Sequence, residues 1–127
     1  MGDLTVYLIG AHLLAIPTEP SRCASREAQA SVIQELIVKL LDTGSPTNPV
    51  GIILMGDMND YDGVTMDSNN NMPTSNVLNI LKGSAGDYAG AYTLETAAQK
   101  VAQNERYTDW WDPNGDCVSS ANEMSMI

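Results

Sequence analysis

The hydrophobic positions fall into a few separate blocks. Leu4-Thr5-Val6-Tyr7-Leu8-Ile9 is aliphatic and β-branched with no helical period, and Gly10 closes it. Such a run predicts a buried strand from Leu4 to Ile9, with Ala11-His12-Leu13 at its tip. Pro17 and Pro20 then mark a loop. From Arg26 to Asp42 the apolar positions Ile33, Leu36, Ile37, Leu40 and Leu41 recur at spacings of three and four, which predicts an amphipathic helix. Ser25 is placed to cap it, Glu27 suits its positive first turn, and Gly44 with Pro46 suits its end. Gly51 to Gly56 is a second, wholly apolar block and predicts a second strand.

The rest of the chain is more polar. Asp57 to Asn71 predicts an acidic loop, Pro73 to Lys82 a short helix with Val77, Leu78 and Leu81 inward, and Leu94 to Gln103 an Ala-rich helix. Arg106 to Trp111 predicts a strand, Asp112 to Glu123 a turn-rich loop, and Met124 to Ile127 the start of a further apolar strand. A strand, a helix and a second apolar strand imply an α/β or α+β layer with a helix on one sheet face. Both predicted N-terminal strands are apolar throughout, so both faces of their sheet require cover. One or two helices can cover one face. The other is expected to stay open and to promote self-association.

Composition narrows the function classes. At 127 residues the chain has the size of one domain. No apolar run approaches the ~20 residues that cross a bilayer, and the N-terminus lacks the pattern of a signal peptide. Six Lys and Arg against sixteen Asp and Glu give a net charge of −10. That balance argues against nucleic-acid binding through a broad basic face. Acidity provides solubility for the chain as a whole, while a local cluster of carboxylates can hold a divalent cation. Two cysteines without CxxC spacing and a single histidine exclude a structural zinc site. Cys23 and Cys117 are either a disulfide or two free thiols; both fall in loops beside apolar elements, so the expectation is that they approach each other. A disulfide would point to a secreted protein.

Two places carry candidate chemistry. In Met55-Gly56-Asp57-Met58-Asn59-Asp60 a buried strand ends in glycine, and Asp57 and Asn59 follow two apart. On an extended segment they leave on the same side, where a carboxylate and a carboxamide can hold a hard cation, a water or a phosphate oxygen. An Asx turn uses the same residues and is the stronger reading on spacing alone. His12 follows the first strand. Taken alone it reads best as a half-buried imidazole bonded to the backbone; taken with Asp57 it reads as a donor or acid toward a phosphate. If the two strands are parallel neighbours, both residues leave the same edge of the sheet, where open sheets bind ligands. Asp60, Asp62 and Asp67 lack the ordered pattern of a calcium loop and read as a solvated acidic loop. Tyr107, Trp110 and Trp111 offer surfaces for stacking on bases but read first as packing.

These blocks, in this order, resemble the endonuclease/exonuclease/phosphatase superfamily of DNase I-like phosphoesterases. Ile9-Gly10-Ala11-His12-Leu13 looks like its strand-end histidine motif, and Arg26-Glu27-Ala28-Gln29 like the Arg-x-x-Gln that opens its next helix. Ile53-Leu54-Met55-Gly56-Asp57-Met58-Asn59 resembles its Gly-Asp-Phe-Asn motif, with Met58 in place of Phe. Arg106-Tyr107-Thr108 is similar to a segment of secreted bacterial nucleases of the superfamily. The resemblance implies an α+β fold that is part of a four-layered α/β/β/α sandwich, with one sheet and its covering helices present. Residues 1–127 would then be a partial domain, truncated at both ends. It further implies hydrolysis of a phosphodiester, nuclease-like, with Mg²⁺ or Mn²⁺ held by Asp57 and Asn59. His12, Asp57 and Asn59 would be the catalytic residues, and nucleic acid or another phosphate ester the partner. The metal-binding Glu and the base His of the superfamily have no counterpart here, so the isolated chain is expected to be nearly inactive. A phosphomonoesterase or a lipid phosphodiesterase of the same fold, or a non-catalytic fragment that needs a complementary partner, are the alternatives.

Overall fold

A computed structural model describes residues 3–110, 112, 114–118, 120 and 124–126. Its frame is a strand, a helix and a strand: β1 (Thr5–His12), α1 (Cys23–Leu41) and β2 (Val50–Asp57), followed by the short helix α2 (Val77–Leu81). β1 and β2 pair in parallel, and α1 supplies the crossover that parallel pairing requires. The register sets Tyr7 beside Ile52, Ile9 beside Leu54 and Ala11 beside Gly56 on one face. Leu8 beside Ile53, Gly10 beside Met55 and His12 beside Asp57 share the other. The first face is half-buried and turned to the helices. The second is open: Leu8 is 66% exposed, and Val6, Ile53 and Met55 are also exposed. The α+β class and the uncovered face thus follow the expectation from the sequence.

The core lies between the sheet and the helices. Leu13, Ala30, Met58, Val77, Ile80 and Leu81 form its buried cluster, with Ala11, Ile33 and Leu54 packed against it. Leu13 and Met58 belong to the segments leaving the two strands, so those exits are fixed by hydrophobic burial. Such burial contributes about 1.5–3 kcal/mol for each large side chain.

Several local expectations are corrected. α1 begins three residues earlier than the periodicity suggests, after a 3-10 turn at Pro20–Arg22. Arg22 is its N-cap and makes no side-chain capping bond, while Ser25 lies inside the helix. Its buried stripe is Arg26, Ala30, Gln34 and Ile37 rather than a purely aliphatic one, and Leu36 is exposed. The stripe tolerates polar groups because each finds partners. Gln34 donates to the carbonyls of Ile80 and Ala85 at 3.0 and 2.7 Å. Arg26, fully buried, donates to the carbonyls of Ile16 and Pro17 and to the Thr74 hydroxyl at 3.1–3.2 Å. The guanidinium makes no ion pair among the described residues, and its Nε has no partner there.

The helix expected over Pro73–Lys82 is confined to Val77–Leu81, where Ile80 is buried as well. In place of a helix over Leu94–Gln103 there are two 3-10 turns, Ala97–Lys100 and Gln103–Glu105, separated by extended residues. Alanine propensity alone did not sustain a helix there, because none of the residues of either turn is buried. The strand expected at Arg106–Trp111 is reduced to β3 (Asp109–Trp110), which pairs antiparallel with β4 (Met124–Ser125). Tyr107 is half exposed, and the side chain of Trp110 lies outside the described residues. Trp111 and Ile127 lie outside the described residues, as does part of the Asp112–Glu123 loop.

Cys23 and Cys117 are free thiols. The Cys23 thiol, at the start of α1, donates to the Thr74 carbonyl at 3.1 Å, while Cys117 is exposed in a turn whose amides are gathered by Asp112. The expected approach of the two thiols does not occur. No described helix is long and apolar enough to cross a membrane.

Candidate functional site

The two strand exits form the site. Because β1 and β2 run parallel, His12 and Asp57, the last residues of each, stand side by side at the same end of the sheet. Leu13 extends the pairing one step by donating its N–H to the Asp57 carbonyl at 2.9 Å. Gly56 makes this junction possible. Its φ is +132°, and a Cβ built there would lie 1.8 Å from the Ala11 carbonyl oxygen. Only glycine allows the two chains to approach so closely just before the carboxylate.

His12 Nε2 lies 3.7 Å from Asp57 Oδ2, with the imidazole side chain 74% exposed and the carboxylate 36%. The imidazole is therefore not the half-buried, backbone-bonded group that His12 suggests when read alone. The separation is too long for a direct hydrogen bond and suits a pair that shares a water or a ligand oxygen. The other oxygen of Asp57 is occupied: Oδ1 accepts the Asn59 N–H at 2.8 Å, which closes an Asx turn. So the turn and the outward carboxylate coexist in one side chain.

Asn59 behaves differently. It is buried, takes a left-handed backbone conformation (φ 49°), and its Nδ2 donates to the Leu13 carbonyl at 3.1 Å. The left-handed backbone at Asn59 ends the extended segment, so alternation no longer applies. His12 and Asp57 come together at the surface, while the Asn59 amide nitrogen is committed to the interior.

The acidic loop also departs from expectation. Asp60, Asp62 and Asp67 are buried rather than solvated. Asp60 accepts the N–H groups of Tyr61 and Thr74, 2.8 and 2.9 Å away, and the Ser75 hydroxyl. Asp67 accepts the N–H groups of Asn69 and Asn71 at 3.1 and 2.9 Å, and the Asn71 amide at 2.7 Å. Asp62 accepts two bonds from Lys82 Nζ at 2.8 and 2.9 Å, one from the Thr96 hydroxyl at 3.0 Å and one from the Val64 N–H at 2.9 Å. Burial pushes the Asp62 carboxyl up, but the Lys82 bonds and the Val64 amide outweigh it and hold the group below its ordinary value. Each carboxylate organises the loop behind the Asp57 turn. The Lys82–Asp62 pair spans twenty positions, a separation that no spacing rule flags.

Among the described residues no group of three or more His, Cys, Asp or Glu side chains is gathered as a cage for a metal ion. The outward oxygen of Asp57 is the ligand that the site itself offers, and Mg²⁺ is often held by one or two carboxylates with waters and substrate phosphates. Asn59 does not fit that role through its amide nitrogen, which is both a donor and already bonded. No family model, curated protein or solved structure matches this chain.

Proposed function

We propose that this chain carries the phosphate-binding edge of a metal-dependent phosphodiester hydrolase, nuclease-like, of the endonuclease/exonuclease/phosphatase type. The observation that carries the reading is the side-by-side emergence of His12 and Asp57 from the C-terminal ends of two parallel strands, with 3.7 Å between Nε2 and Oδ2. The four-layered sandwich belongs to this proposal, with the present sheet as one inner layer and its open face meeting a second sheet.

The geometry supports a role for each residue in this reading. An exposed imidazole can donate to a phosphate oxygen or protonate a leaving group. Asp57 turns one oxygen to the same space while its other oxygen is fixed by the Asn59 N–H, so the carboxylate is oriented before any ligand arrives. Asn59 acts as a positioning residue, tying the Asp57 turn to the exit of β1 through the Leu13 carbonyl. Mg²⁺ or Mn²⁺ on Asp57 would supply charge neutralisation at the phosphate. The sequence holds one histidine, so a second imidazole to activate water must come from elsewhere. Turnover by the isolated chain is accordingly near background.

The Asx turn supports a second reading, in which Asp57 and Asn59 only shape the loop and the chain is a non-catalytic module that needs a complementary partner. One experiment separates the two. Mn²⁺ titrated into isotopically labelled protein should broaden the resonances of His12, Gly56 and Asp57 first, and Asp57→Ala should remove that preference. Broadening that begins elsewhere, or that ignores the substitution, would overturn the enzymatic reading. Nuclease and generic phosphodiester assays with Mg²⁺ or Mn²⁺ complete the test: turnover should stay near background, and whatever exceeds background should be lost on His12→Ala.

A further inference from the structure

Among the described residues β2 pairs on one side only. Two backbone bonds set its phase: Thr5 N–H to the Pro49 carbonyl and Leu13 N–H to the Asp57 carbonyl. In a parallel ladder this means that the odd-numbered residues of both strands face each other. Ile52 and Leu54 therefore turn their N–H and C=O groups away from β1, and these groups have no backbone partner among the described residues. Beside that edge runs a groove of about 410 Å³. Five consecutive β2 residues, Ile52 to Gly56, line it, together with Leu78, Leu81, Leu94 and Met126. A lining made from consecutive residues is a strand edge, with side chains of both sheet faces above and below the unpaired backbone.

We propose that this edge takes an extended segment of a partner protein as an added strand, the segment carrying alternating apolar side chains and a lysine or arginine. Main-chain bonding to Ile52 and Leu54 supplies the attachment, and the apolar groove selects the alternate side chains. The charge requirement comes from the rim. Glu95 is exposed and lines the groove, whereas the amine of Lys82 is already held by Asp62. A second copy of this chain is the less suitable occupant, since it would bring a further net charge of −10 to an acidic rim. The open sheet face is a separate surface, because the added strand lies in the plane of the sheet rather than over it.

The probe is a fluorescent peptide of about ten residues alternating valine and threonine, with one lysine, titrated against the whole chain. Saturable binding is expected, with chemical-shift changes at Ile52 and Leu54. A peptide with glutamate in place of the lysine should bind about tenfold more weakly. Glu95→Lys, at an exposed position, should reverse that preference. A peptide N-methylated on alternate amides should lose binding on the unmodified protein, which removes folding from the question. Equal binding of the N-methylated peptide would overturn the proposal, as would an unchanged preference in Glu95→Lys. So would shifts confined to Leu8 and Val6.

Discussion

The side-chain amide of Asn59 and the backbone carbonyl of Leu13 are joined by a hydrogen bond of 3.1 Å, and this bond latches the exit of β2 onto the exit of β1. Asn59→Asp keeps the shape of the side chain but replaces the donor with an acceptor facing a carbonyl. The loss expected is about 1–3 kcal/mol, the cost of an unsatisfied buried group. Urea denaturation should show the midpoint falling; an unchanged midpoint would mean that the latch has no structural weight.

Gly56 and Gly10 provide a matched pair. A methyl group at Gly56 meets the Ala11 carbonyl, whereas one at Gly10 meets nothing within 4 Å. Gly56→Ala should therefore cost on the order of 3 kcal/mol or abolish folding, and Gly10→Ala should stay within about 0.5 kcal/mol of the parent. Circular dichroism through thermal unfolding reads both. Similar behaviour of the two variants would refute the close approach of the strands.

The Asp62 carboxyl gives stability an acid limb. Its folded pKa is depressed, so the unfolded chain takes up the proton more readily. The contribution is complete above the ordinary value of 3.8 and is lost as pH falls through the lower, folded value. Asp62→Asn strands Lys82 beside a neutral amide and should cost on the order of 3 kcal/mol at pH 7. The gap between parent and variant should close below about pH 3.8. A gap that is constant with pH would show that Lys82 is not its partner.

The open face of β1 and β2 should make the protein associate. Leu8 and Ile53 are neighbours in the register and both are exposed. Replacing both with lysine should leave the fold intact and shift light scattering toward the monomer. A parent chain that is monomeric at high concentration would mean that this face is tolerated in water.

Legibility followed the range of the interactions. β1 and β2 could be read because each is a short apolar run closed by glycine, but their parallel pairing stood only as a condition until the register was seen. With pairing in hand, the meeting of His12 and Asp57 was accessible from two strand ends. Asn59 was misread because an αL residue after Asp57 breaks the period-two rule, and backbone sign is not written in residue type. The acidic loop was misread for another reason. Asp60, Asp62 and Asp67 look like surface residues until partners as distant in sequence as Ser75 and Lys82 are known. The buried stripe of α1 escaped for the same reason, since Arg26 and Gln34 are buried only because Thr74, Ile80 and Ala85 receive their bonds.

The sealed guanidinium of Arg26 has a kinetic meaning. Carbonyls of Ile16 and Pro17 and the hydroxyl of Thr74 converge on one cation, which water reaches only if they separate. Partial detachment of any one segment would leave the charge stranded in an apolar interior, so the cheapest opening releases all of them at once. The loop after β1, the start of α1 and the segment before α2 should therefore exchange their amide hydrogens as a single cooperative unit, with one common opening free energy rather than three.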